Sequence, residues 1–311
     1  MKINTIFEKY LPHRKVNIKA ILLMLLTGIV FSPVKAGPDN IAPQAKVTAS
    51  SSLNAECGPQ KVTDGITTVA GQPKKILFIG NSLTYKQDGI YSHLEKLAAA
   101  AAPPCILLTE KSVKGGATLK THWERPEPRE AIIKADCDVV VLQEDLPEIN
   151  VSYFQEYARR FVLEIRKAKS RPILLMAWYY PRLGWISTAE IARAHRDIAK
   201  ELDVEVAPVG LAWQRSIKKR PDLDLYIADL EHPSIYGTYL ATCVVYATLF
   251  GKSPVGLGYT PSGISNVDAA FLQYTAWATY QKWTRKFHSQ SSHGKEKLSL
   301  NVDAFVKSIM T

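Results

Sequence analysis

The chain has 311 residues, 46% of them hydrophobic and 22% charged, which is the balance of an ordinary soluble globular protein with room for one large α/β domain or two small ones. The formal net charge of +10 overstates any case for an anionic partner. Residues 1–36 carry six Lys/Arg against one acid, and the basic residues of the remainder are scattered among acids with no basic stripe interleaved with aromatics, which argues against nucleic-acid binding.

Residues 1–36 read as an export signal. A basic stretch ending at Lys19 precedes AILLMLLTGIVF, an apolar run too short for a comfortable membrane span, and Val34 and Ala36 stand before a cleavage point ahead of Gly37. An uncleaved anchor is the alternative; either reading places the protein outside the cytoplasm, secreted or periplasmic. In such a compartment Cys57, Cys105, Cys137 and Cys243 can form disulfides, although buried free thiols fit their apolar surroundings equally well and their spacing matches no metal site.

Residues 37–73 are rich in Ser, Pro, Gly and Thr and read as an N-terminal arm. The residue 74–290 region then alternates apolar runs with amphipathic ones. KILFIGNS, CILLTEKSV, CDVVVLQE, RPILLMAWYY and VEVAPVG are the five expected strands. Between and after them GIYSHLEKLAAAAA, REAIIKA, YFQEYARRFVLEIRKAK, TAEIARAHRDIAKEL and LAWQRSIKK have helical spacing. Continuous Ile/Leu/Val runs point to strands covered on both faces. The repeated strand–helix order predicts a three-layer α/β/α, doubly wound parallel five-stranded sheet. Residues 291–311 are expected to form a helical extension.

In sheets of this kind reactive groups gather beyond the carboxyl ends of the strands. Ser82, Gly116 and Gln143 fall at or just after those ends. A nucleophilic Ser82 requires a base. Of the seven histidines, His93 and His195 sit in helical runs as surface or half-buried residues, and His122 follows the Gly115-Gly116 pair closely enough to line a pocket. His232 stands three residues after Asp229, a spacing that lets a carboxylate fold back onto one imidazole nitrogen. Asp222 and Asp224 stand ten and eight residues ahead of His232 and lack that tight loop.

Taken together, Gly80-Asn81-Ser82-Leu83-Thr84, then Gly116 in KGGATL, then Asp229-Leu230-Glu231-His232-Pro233, resemble the sequence blocks of the SGNH/GDSL hydrolase superfamily in their order. The run GTYLATCVVYATLFGKSPVG is similar to the terminal helix of its bacterial carbohydrate-esterase-like members. The absence of a GxSxG elbow argues against an α/β-hydrolase. The resemblance implies a flavodoxin-like sheet, a Ser82–His232–Asp229 triad, and an oxyanion site formed by the N–H groups of Ser82 and Gly116. Where that family places an Asn donor, this chain has VVLQEDLPEI. Gln143 is the amide that would replace it, unless it serves only to bond the loop. Asn81, Glu144, Trp123, Trp178 and Tyr179 are the candidates to line the substrate; the aromatics would stack on a sugar unless they pack into the core or form an aromatic rim, the commoner use of such rings. Separately, residues 40–66 are similar to the opening of a discoidin-type sugar-binding domain. The implied activity is hydrolysis of small acyl, above all acetyl, esters on a carbohydrate, with no cofactor or metal, no nucleic-acid partner and no stable membrane insertion once the signal is cut. A thioesterase or lysophospholipase of the same fold, or a non-catalytic glycan-binding protein on this scaffold, are the alternatives.

Overall fold

The computed structural model describes residues 74–286. The expected signal segment, the arm, the C-terminal extension and Cys57 lie outside the described residues.

Five strands form one all-parallel sheet: β1 (Lys74–Gly80), β2 (Leu107–Val113), β3 (Val139–Gln143), β4 (Arg171–Leu175) and β5 (Glu205–Ala207), in the order β2-β1-β3-β4-β5. All five were expected from their apolar runs. The reason those runs are continuous is visible in β1. Ile76 and Phe78 face one core while Leu77 and Ile79 face another, so neither face of the strand meets water.

Four long helices cover the first face: α2 (Gly89–Ala99), α7 (Val209–Lys219), α8 (Ile235–Phe250) and a run over residues 266–286, here α9. The second face is covered by α4 (Pro126–Ala135), α5 (Val151–Lys167) and α6 (Thr188–Leu202). Two short helices, α1 (Ser82–Tyr85) and α3 (Leu119–Trp123), follow β1 and β2. Helix α6 starts on a capping box in which Ser187 accepts from the Glu190 N–H and the Glu190 carboxylate bonds back to Ser187. Helix α8 is apolar on all sides and is buried from Gly237 to Leu249. His93 and His195, expected at or near the surface, are instead buried in these helix layers. His195 bonds the Ile191 carbonyl one turn back, and burial pushes its pKa down to about 4, so it packs as a neutral ring. Cys105, Cys137 and Cys243 are free thiols.

Because every strand runs the same way, the exits of β1, β3 and β4 all open on one edge of the sheet. There the chain makes its irregular turns.

Candidate active site

The exit from β1 is a tight turn into α1. Asn81 caps that helix, its side-chain oxygen accepting the Leu83 N–H at 3.0 Å, so Ser82 is the first helical residue. An N–H in that position has no partner within its own helix. Gly80 is required by space. A Cβ there would stand 2.5 Å from Thr84 Oγ1 and 2.7 Å from Gln143 Oε1. The carbonyl of Gly80 accepts twice, from the Lys114 N–H at 3.1 Å and from His122 Nε2–H at 2.9 Å. His122 therefore does not line a pocket. Its ring is buried, burial lowers its pKa, and it ties α3 to the nucleophile turn.

The second element is the segment following β2. Gly116 adopts φ +61°, a left-handed conformation that a side chain would strain, and a Cβ there would meet nothing within 4 Å. Its N–H has no hydrogen-bond partner among the described residues.

The third element is the loop from Leu225 to Ser234, pinned at its base by a bridge between Tyr226 and Pro233 and by Ser234 N–H to the Leu225 carbonyl at 2.8 Å. Leu230, at φ +59°, reverses the chain between Asp229 and Glu231. The reversal brings Asp229 Oδ2 to 2.7 Å from His232 Nδ1, while Oδ1 accepts the N–H groups of Glu231 at 3.0 Å and His232 at 2.9 Å. Burial works against a charge on Asp229, but the two backbone donors and the imidazole N–H outweigh it and hold its pKa below the usual carboxylate range. On the far side of the ring, His232 Nε2 lies 2.8 Å from Ser82 Oγ. Ser82, Asp229 and His232, drawn from opposite ends of the domain, thus form one hydrogen-bonded chain. With Nδ1 donating to Asp229, Nε2 is free to accept the Ser82 hydroxyl proton.

Gln143 requires a correction. It is 1% exposed, and its amide nitrogen donates to the Glu144 carbonyl at 2.9 Å. Its oxygen accepts the Asn81 N–H at 2.9 Å and the Thr84 hydroxyl at 3.0 Å. The side chain braces the nucleophile turn, the alternative that its position at the end of β3 had left open.

The residues expected to touch substrate are mostly buried too. Asn81 donates its side-chain amide to Asp145 Oδ2 at 2.8 Å, and Tyr180 donates its hydroxyl to Asp145 Oδ1 at 2.7 Å. Burial raises the Asp145 pKa to about 6, with the Tyr180 bond opposing. Glu144 is also buried and accepts the N–H groups of Asp145 and Leu119. Trp123 packs edge-on against Phe161, with the guanidinium groups of Arg129 and Arg160 over its ring. Trp178 is buried, stacked on Trp213 at 3.8 Å, and its indole N–H donates to the Glu231 carbonyl at 2.9 Å. It supports the His232 loop from beneath rather than offering a stacking face. Tyr179 is half-buried and lines a cleft with Trp213 and Tyr226.

The structure gives supporting roles to further residues. Asp145 and Tyr180 anchor Asn81. Arg182 forms a rim cluster in which its Nε donates to Glu231 Oε2 at 2.8 Å and its terminal nitrogen pairs with both Glu231 and Glu148. These roles could not be found from local pattern, because each residue acts through a partner on another element. Among the described residues no group of three or more His, Cys, Asp or Glu side chains is placed to hold a metal ion.

No family model matches the chain, and no curated protein matches it in sequence. Solved structures do resemble it. A DUF4886 family protein from Bacteroides uniformis superposes with a TM-score of 0.56 at 18% identity, covering 67% of this chain and 94% of that one. A protein from Slackia heliotrinireducens, described as a candidate SGNH hydrolase, gives 0.49 at 23% identity over 57% of this chain and all of its own. Axe2, an acetylxylan esterase from Geobacillus stearothermophilus, gives 0.46 at 19% identity over 62% and 99%. At these identities the likeness is one of architecture: the described residues share the α/β fold of the DUF4886 family protein, a five-stranded parallel sheet between helix layers.

Proposed function

We propose that the protein is an exported serine esterase that removes small acyl groups, acetyl first, from a carbohydrate. The observation that carries this reading is the relay from Ser82 Oγ through His232 to Asp229, with contacts of 2.8 and 2.7 Å. In the proposed reaction Ser82 Oγ attacks the ester carbonyl as its proton passes to His232 Nε2. The tetrahedral oxyanion is received by the N–H groups of Ser82 and Gly116, and one such donor is typically worth about 2.7–4 kcal/mol in the transition state. Collapse of the intermediate breaks the bond to the alkoxy oxygen, which takes the proton from His232 and departs as the alcohol. Water, deprotonated by His232, then attacks the acyl-enzyme and releases the acid and free Ser82. Asp229 holds the Nδ1–H tautomer throughout and stabilises the charged ring.

Ser82 is 6% exposed, and a nucleophile so enclosed favours a short acyl group. The carbohydrate rests on the export signal and the discoidin-like arm, both read from sequence. The test is release of acetate from a chromogenic acetate ester by the full chain and by Ser82→Ala. Loss of turnover in a folded Ser82→Ala protein is expected, and undiminished turnover would overturn the assignment. Comparing acetyl with long-chain acyl esters and thioesters separates this reading from a thioesterase or lysophospholipase.

A further inference from the structure

Glu231 brings a second carboxylate to the reacting atoms. Its Oε1 stands 3.9 Å from His232 Nε2, the nitrogen that contacts Ser82, and its side chain is 17% exposed. The residue is held from three directions. Its N–H donates to Asp229 Oδ1, its carbonyl accepts the Trp178 indole N–H, and its Oε2 is occupied by the Arg182 guanidinium. That leaves Oε1, which accepts no hydrogen bond from any described residue. A carboxylate oxygen that has no partner within the described residues, beside a proton-transferring nitrogen, is open to a donor that arrives with the substrate.

The chemistry of the leaving group says which donor fits. The alkoxy oxygen must come within hydrogen-bonding reach of His232 Nε2 to take its proton. In a monoester of a vicinal diol, the free hydroxyl on the adjacent carbon lies within hydrogen-bonding distance of that same alkoxy oxygen. With the ester oxygen at Nε2, this neighbouring hydroxyl is in reach of Oε1. A neighbouring methoxy group would instead displace water from Oε1 with an atom that cannot donate, leaving that acceptor unpaired in the complex. We propose that Glu231 is a specificity-determining residue that selects esters whose alcohol carries a free hydroxyl on the carbon next to the ester-bearing one. The inference rests on the Ser82–His232 reading and sharpens it. It defines the substrate class as monoesters of vicinal diols, which partly acylated sugars supply.

The experiment compares kcat/KM for trans-2-hydroxycyclohexyl acetate and trans-2-methoxycyclohexyl acetate, followed by acetate release with the full chain. The wild-type ratio should favour the hydroxy ester by about tenfold or more, the weight of one hydrogen bond to a charged acceptor. Glu231→Leu should bring the ratio close to one, and Glu231→Gln, which keeps a neutral acceptor, should leave it intermediate. General damage to the loop lowers both rates together and leaves the ratio unchanged, so the ratio reports recognition alone. A wild-type ratio near one overturns the proposal even if Glu231→Leu does not fold. So does a ratio that survives in Glu231→Leu. Turnover that persists in Ser82→Ala would fault the serine reading instead, which keeps the two failures apart.

Discussion

Replacing Glu144 by Gln should remove a pH dependence of stability that runs opposite to ordinary acid denaturation. Glu144 is buried beneath the nucleophile turn, and burial raises its pKa from 4.5 to about 8, against the N–H donors of Asp145 and Leu119. Between those two values the folded protein holds a proton that the unfolded chain has released. Unfolding then loses protons, and stability falls as pH rises, by about 1.4 kcal/mol per pH unit. The stabilisation is full below pH 4.5 and is lost as pH climbs through 8. Across the whole shift it amounts to about 5 kcal/mol, and between pH 5 and 8 to about 4 kcal/mol. The substituted amide would keep an oxygen acceptor for both N–H groups, with similar volume and no proton to lose. The assay is urea unfolding of wild type and Glu144→Gln at half-unit steps from pH 5 to 8. His93, His122 and His195 have lowered pKa values, so their contributions rise with pH in the acid range. The histidines are common to both proteins and cancel in the difference, as does Asp145 apart from its repulsion of Glu144, which is already part of the Glu144 shift. The stability of the variant relative to wild type should therefore improve steadily across the series. A difference that stays flat from pH 5 to 8 would refute the reasoning, because Glu144 would then be ionised throughout.

Three further outcomes follow from the site geometry. Asp229→Asn should leave the fold intact but lower kcat for ester hydrolysis by about 10⁴, the loss that a triad suffers when its histidine tautomer is no longer fixed; a drop below tenfold would show that Asp229 does not orient His232. Gly80→Ala places a methyl against Thr84 and the Gln143 oxygen. It should cost about 1–3 kcal/mol in urea unfolding and lower kcat as the nucleophile turn shifts, so wild-type values in both assays would contradict the packing argument. Trp178→Phe keeps a ring to stack on Trp213 but removes the donor to the Glu231 carbonyl. It should cost about 1 kcal/mol in stability and lower kcat more than it raises KM, which steady-state kinetics would read directly.

The sheet was legible in the sequence because each strand is a short apolar run between turn-forming residues, a pattern that only a doubly covered strand sustains. The candidate nucleophile and its base were legible because their roles demand particular residue types at strand exits and at Asp-x-x-His spacing. At the same strand ends the sequence left two uses open for a polar or aromatic side chain. Gln143 can serve an oxyanion or a backbone, and Trp178 can stack on a sugar or on Trp213. The choice depends on neighbours far along the chain. Gln143 meets Asn81 across 62 residues and Trp178 meets Glu231 across 53. The short helices α1 and α3 escaped notice for a related reason, since four or five residues make too few turns to show a period.

By itself, then, the sequence determined the parallel sheet, the order of its elements and the residue types able to form a Ser–His–Asp relay, since local pattern and backbone preference suffice for these. Only the tertiary structure decided which polar groups are already consumed within the protein and which still lack a partner. Asn81, Gln143, Glu144 and Asp145 bond to the protein, whereas the N–H of Gly116 and Oε1 of Glu231 have no partner among the described residues. A buried hydrogen bond is settled by what lies opposite it in space, and only the fold brings that partner into place.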